Sequence, residues 1–104
     1  MTKPEKKLQD KAISYLKGRG IYYLNLYGDG FSGKGKPDII ACINGLFVAF
    51  ELKVGENDLQ DDQRLHRIRI KRSNGLHFAP YTLEEFISIV EELNHRATGK
   101  DVKT

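Results

Sequence analysis

The sequence predicts a mixed α/β domain with elements in the order α-β-β-β-α-β-α, a mixed central sheet flanked by helices. Two apolar runs, residues 39–43 and 46–50, flank Asn44-Gly45. That dipeptide favours a type I′ hairpin turn, because both of its residues must sit at positive φ. Stretches near both ends of the chain open on helix-start patterns and then repeat apolar residues at helical spacing. With 104 residues, 39% hydrophobic and 30% charged, the chain has the size and composition of one domain with a single core.

The elements follow in order. "TKPE" at residues 2–5 offers Thr2 as N-cap, Pro4 in the first turn and Glu5 at the capping-box position. Leu8, Ala12, Tyr15 and Leu16 continue the helix, and Gly18 and Gly20 end it. Glu5, three residues before Leu8, points to the apolar face of that helix. "IYYLNLY" reads as a strand, with Tyr22, Tyr23 and Tyr27 as strand-packing residues. A glycine-rich loop over 28–36 leads into the hairpin. A second helix is expected over 59–72, stopped by Ser73-Asn74-Gly75. "LHFAPY" is a further strand ended by Pro80, and "TLEE" opens a last helix through Leu93. Residues 1–94 read as one domain and 95–104 as a flexible tail with nothing apolar to pack.

Several function classes drop out. No apolar run approaches the ~20 residues of a membrane helix, and no signal-peptide core follows the start. The single Cys42 lies inside an apolar run, which suggests a small buried filler in a reducing compartment. No His/Cys spacing suits zinc, and His66 and His77 read as packed or exposed rather than catalytic. The net charge of +3 is a mild pointer to nucleic acid, and its distribution says more. Residues 64–72 carry Arg64, Arg67, Arg69, Lys71 and Arg72, the glycine-rich loop adds Lys34 and Lys36, and residues 83–93 are acidic.

A two-residue turn at Asn44-Gly45 sets the register so that Asp38 lies opposite Glu51, with Cβ atoms roughly 4.5–5.5 Å apart. Lys53, two residues further on, shares their face. A bulge would shift this pairing by one residue. Two opposed carboxylates destabilise a strand pair unless a cation lies between them, and hard cations such as Mg²⁺ take carboxylate oxygens. Glu5 is a candidate third acid. Metal held there activates water and neutralises phosphate charge, with Lys53 orienting the water or stabilising the developing charge. The plainer alternative is a solvated strand end with Glu5 serving only the helix cap.

Read whole, "GKGKPDIIACINGLFVAFELKVGENDLQDDQ" resembles the PD-(D/E)xK nuclease superfamily and, within it, the virus-type replication-repair nuclease (VRR-NUC) family. The carrying residues are Gly35, Pro37-Asp38, Glu51-Leu52-Lys53 and Gln63. The resemblance implies a restriction-endonuclease-like core and a divalent-metal phosphodiesterase. Asp38, Glu51 and the backbone carbonyl of Leu52 would bind Mg²⁺ or Mn²⁺, with Glu5 as the first-helix acid. Lys53 would position the attacking water, and Gln63 would line the site from the second helix. Lys36, between the motif glycine and proline, is a departure that places a basic residue near phosphate. Small members of the family imply a homodimeric endonuclease cutting branched DNA such as four-way (Holliday) junctions, in the cytoplasm of a bacterial or phage-infected cell.

For the basic run at 64–72, a solvated helix face and a phosphate-contacting face both fit, the nuclease motif favouring the second. In the loop, Lys34 and Lys36 as phosphate contacts and Phe31 as a wedge stand beside a plain flexible connection. Two rival functions remain: a non-catalytic nucleic-acid-binding module of the same fold, and a restriction-type or RNA-directed nuclease. The presence of Asp38, Glu51 and Lys53 counts against the first. The absence of an RRM-type aromatic signature, and of room for a sequence-reading domain, counts against the second.

Overall fold

Asn44 and Gly45 adopt φ of 54° and 81°, as a type I′ turn demands, and the hairpin around them organises the molecule. The computed structural model describes residues 3–27, 34–55 and 58–96. They form α1 (Pro4–Gly18), β1 (Tyr22–Asn25), β2 (Ile39–Ile43), β3 (Leu46–Phe50), α2 (Asp61–Arg72), β4 (Leu76–Phe78) and α3 (Leu83–His95), in the order expected. The sheet runs β1-β2-β3-β4. Its β1/β2 and β2/β3 pairs are antiparallel and β3/β4 is parallel, with α2 as the crossover, so the sheet is mixed.

Alternation along the strands sorts side chains to two faces. Ile39, Ala41, Ile43, Val48 and Phe50 turn inward with Leu8, Ala12 and Leu16 of α1 and Phe86, Val90 and Leu93 of α3. The rings of Phe50 and Phe86 pack at a tilt of 54° with centroids 4.6 Å apart. The helices are tied to each other by Glu91, which accepts from the Tyr15 hydroxyl and, at 2.8 and 2.9 Å, from the Arg19 guanidinium. The opposite, outer face carries Tyr22, Leu24, Ile40, Cys42, Phe47, Ala49 and His77, and α2 lies against it beside β4. Unlike α1 and α3, α2 buries no residue fully.

Cys42 is exposed, not buried. Its apolar neighbours Ile39, Ala41 and Ile43 take the inner face and leave it outside, where α2 does not reach. Tyr23 packs against the core as expected, whereas Tyr22 is 70% exposed. The N-cap of α1 is Lys3, with no side-chain cap, and Thr2 lies outside the described residues. This places Pro4 and Glu5 in the first turn but removes the capping-box role from Glu5. α2 starts at Asp61, two residues later than expected, because Leu59 is buried in the turn before it. The cap of α3 is as read from "TLEE": Glu85 N–H donates to the Thr82 hydroxyl at 3.1 Å. Phe31 and residues 97–104 lie outside the described residues. Among those described, no helix is long and apolar enough to cross a membrane.

Candidate active site

The site is built where the hairpin ladder has to stop. The observed pairing of β2 with β3 keeps the expected register from Ile43–Leu46 to Ile39–Phe50. At Asp38 it changes: the Asp38 N–H donates to the Phe50 carbonyl at 2.9 Å, one residue short of Glu51. Pro37 has no N–H with which to continue the ladder. The Leu52 N–H is therefore taken up by a side chain, the Asp38 carboxylate, at 2.9 Å. Just upstream, Gly35 sits at φ +83°, and a Cβ there would fall 2.6 Å from the Asp62 backbone. Only glycine lets this segment pass so close to the start of α2.

Residues 51–53 remain extended beyond β3 because Glu51 N–H and Lys53 N–H donate to the carbonyls of Phe78 and Pro80, at 2.9 and 3.0 Å. The Glu51 and Lys53 side chains point the same way and are 5% and 6% exposed. Gln63, in the first turn of α2, joins them. Its Oε1 accepts from the Gln60 backbone N–H at 2.8 Å and from the Lys53 ammonium at 3.3 Å. Both partners only donate, so the amide nitrogen is left to face Glu51, donating to Oε2 at 3.1 Å. The capping contact between Gln60 and Gln63 that starts α2 thus also fixes the orientation of Gln63 in the cluster.

Burial raises the Asp38 carboxyl above its usual range, with the Leu52 N–H pulling the other way. Glu51 is pushed up to about 8, first by burial and then by the charge of Asp38, against the opposing pull of Lys53. With both acids ionised, Glu51 Oε1 has no hydrogen-bond partner. A proton shared with Asp38 satisfies it, and so does a cation. An orphaned buried carboxylate oxygen beside a second carboxylate is a donor set that fits a hard divalent ion. Among the described residues no three His, Cys, Asp or Glu side chains converge on one point, so Glu5 does not complete a three-acid group. Its charge nonetheless acts on both Asp38 and Glu51.

Two neighbours escaped the sequence reading. Tyr27, read as strand packing, has a hydroxyl held above its usual pKa by burial and by the charges of Glu5 and Asp38. Gln9 is 1% exposed, its Nε2 donates to Asn25 Oδ1 at 2.7 Å, and its Oε1 has no partner. Its spacing gave a signal, since Gln9 lies one helical turn beyond Glu5 on the face that also carries Ala12 and Leu16.

The basic residues divide. Arg64 is committed to Asp61 and Asp58 at 3.1 and 3.3 Å. Among the described residues, Arg67, Arg69, Lys71 and Arg72 take no salt bridge and are exposed. Arg67 and Lys71 lie near His77, which is 5% exposed, and they join burial in lowering its pKa to about 4. Lys34 is exposed at the rim of a cleft of about 480 Å³ lined also by Gly35, Gln60 and Gln63, and its carbonyl meets the His66 ring at 3.1 Å. Lys36 is half-buried next to Pro37.

Fold and site together define a class: a mixed α/β domain with its acids at the open end of a central hairpin. No family model matches the chain, and no curated protein does. Among solved structures it is similar to a VRR-NUC domain, with a TM-score of 0.72 and 17% identity, over 86% of this chain and 97% of the other. The chain has a VRR-NUC-like fold.

Proposed function

We propose that the chain is a Mg²⁺- or Mn²⁺-dependent, structure-selective DNA endonuclease that works as a homodimer and resolves four-way junctions. The observation that carries this reading is the pairing of half-buried Asp38 with buried Glu51, with an unpartnered Glu51 oxygen and Lys53 bridged to it through Gln63. Asp38, Glu51 and the Leu52 carbonyl would hold the ion, with Glu5 supplying further negative potential. A bound divalent cation lowers the pKa of water and neutralises charge on a phosphodiester. Lys53 donates to the attacking water or to the non-bridging phosphate oxygens, and Gln63 keeps its ammonium aimed beside Glu51. Gln63 Nε2 leaves one Glu51 oxygen occupied and the other open. Lys34, Lys36, Arg67, Arg69, Lys71 and Arg72 would contact phosphates of the arms, without reading sequence. Arg64, already paired twice, contributes less. Each chain supplies one acid cluster and a junction needs two symmetric cuts, which is why a two-fold dimer suits the substrate.

The test is cleavage of a labelled four-way junction and of its matching linear duplex in Mg²⁺, Mn²⁺ and EDTA, with Glu51→Gln alongside. Paired, metal-dependent cuts near the branch, lost in Glu51→Gln, are expected. Tight binding without cleavage in any metal would make the chain a binding module of the same fold. Equal cutting of the linear duplex would remove the junction selectivity.

A further inference from the structure

The apolar residues of α2 are divided between two faces. Gln63, His66 and Ile70 share the half-buried face turned towards β4. The opposite row is Asp61, Leu65, Ile68 and Arg72, spaced as i, i+4, i+7 and i+11. Leu65 and Ile68 are 54% and 47% exposed. One apolar side chain in water is ordinary, but a core-packing helix does not set two on adjacent turns in the middle of its solvent face. Cations surround the pair: Arg72 continues the row, Arg69 flanks it on one side, and Arg64 and Lys71 flank it on the other. Asp61, the acid on the row, is paired with Arg64 at 3.1 Å. Asp61 and Gln63 also line the cleft of about 480 Å³ at the start of α2. The row therefore leads away from the rim of that cleft. At ~1.5 Å per residue, Leu65 lies ~6 Å and Ile68 ~10 Å along the helix axis from Asp61.

We infer that Leu65 and Ile68 form an apolar wedge that enters DNA at an unstacked branch point, with the surrounding cations on the flanking phosphates. The chemistry of the surface selects this occupant. Phosphates on either side of a base step match Arg69, Lys71 and Arg72 in charge. The apolar centre matches a base face, and aliphatic side chains inserted between base steps hold kinked duplexes in many architectural proteins. A second copy presenting the same face would set Arg69, Lys71 and Arg72 against their own equivalents, and like charges oppose such a contact. Insertion has to unstack bases in a linear duplex, whereas unpaired or mismatched bases give way at least cost. The pair therefore discriminates by DNA shape and not by sequence. The ~6–10 Å between cleft and wedge spans about two to three steps of ~3.4 Å, which puts the cuts within a few nucleotides of the branch. The inference rests on the DNA-cleaving reading above and adds to it a group that tells a junction from a linear duplex.

Binding in EDTA tests the wedge apart from the chemistry. The probes are a four-way junction with 2-aminopurine at the branch and the matching linear duplex with the same base inside it. Wild type should prefer the junction and raise its 2-aminopurine fluorescence, the sign of an unstacked base. Leu65→Gln combined with Ile68→Gln keeps good helix formers at two exposed positions, so circular dichroism should not change. Burying the exposed halves of two such side chains is worth about tenfold or more in affinity, and the variant should lose that on the junction. It should also lose the fluorescence rise, while the linear duplex is held with wild-type affinity and salt slope. If the double variant fails to fold, the two single variants carry the same test. A variant that keeps the junction preference and the fluorescence rise overturns the wedge. So does an equal loss on both DNAs, which makes the pair a general contact, or a fall in mass by light scattering, which makes it a contact between copies. Wild type that holds both DNAs equally overturns the wedge and junction selectivity together. Metal-dependent cutting of the linear duplex, lost in Glu51→Gln, would still stand for the acids in that case.

Discussion

The Glu51→Gln substitution should stabilise the metal-free protein above neutral pH, and the sign follows from the acid pair. Glu51 ionises near 4.5 in an unfolded chain and at about 8 when folded. Between those values the folded state holds a proton that the unfolded state has released, so stability falls as pH rises. Asp38, also raised, acts in the same direction. His77 acts oppositely: its folded value of about 4 lies below the ordinary 6.5, so it adds stability as pH rises from 4 to 6.5. The two effects offset each other below pH 6.5, and from there to about 8 the Glu51 slope is no longer opposed by His77. At ~1.4 kcal/mol per pH unit, flattening near the folded pKa, the loss over that interval is roughly 1.5 kcal/mol, or about 6–12 °C in melting temperature for a domain of this size. Urea and thermal unfolding in EDTA across this range measures it. Wild type should weaken with pH, Glu51→Gln should not, and Mg²⁺ should restore wild type most at high pH, because binding displaces the proton. The charges of Glu5, Lys53 and Asp38 around Glu51 are common to both proteins apart from the substituted group. Metal-free wild type with flat stability from pH 6.5 to 8, or the same slope in Glu51→Gln, would refute the buried-acid argument.

Lys53→Ala should lower cleavage by at least about 10²-fold with DNA affinity changed little, since it removes a charge aimed at the reacting group; single-turnover rates and binding isotherms separate the two. Replacing Arg67 and Arg69 together by Ala should weaken binding to every DNA and reduce the slope of log K against log salt by about 2, read from titrations at several salt concentrations. Gly35→Ala should destabilise the fold by about 1–3 kcal/mol in urea melts, through positive φ and the contact with the Asp62 backbone, and should reduce cleavage by moving Asp38.

Much of this was legible because it depends on short-range rules. Asn44-Gly45 and two flanking apolar runs define a hairpin, and the hairpin register brings Asp38 towards Glu51 without any tertiary information. What was not legible depends on which element covers which face. Cys42 looked buried because an uninterrupted apolar run suggests a strand covered on both sides. That inference needs a helix over β1 and β2, and α2 instead sits beside β4 with no fully buried residue. The same fact explains the basic composition of α2: a helix that contributes little to the core can carry five cations over its other faces. The position of the cap of α1 was misread because a Thr-x-x-Glu pattern is equally compatible with a helix that begins one residue later at Pro4.

The acid pair is unfavourable in isolation, and the backbone around it shows how the fold sustains it. Pro37 ends the ladder and leaves the Leu52 N–H needing an acceptor, which Asp38 supplies. Gly35 allows the incoming segment to cross the start of α2, where Gln60 fixes the amide of Gln63 between Glu51 and Lys53. The site is thus assembled from interactions that two separate elements need for their own termination: the end of a hairpin and the beginning of a helix. A change at Gln63 should therefore disturb catalytic geometry more than stability, because water or another acceptor can cap Gln60 N–H at the helix start but cannot hold Lys53 beside Glu51. Gln63→Ala should lower the cleavage rate about 10-fold or more and shift unfolding by no more than ~1 kcal/mol, the loss of one helix-cap interaction. A large stability loss with cleavage unaffected would make Gln63 a cap and nothing more.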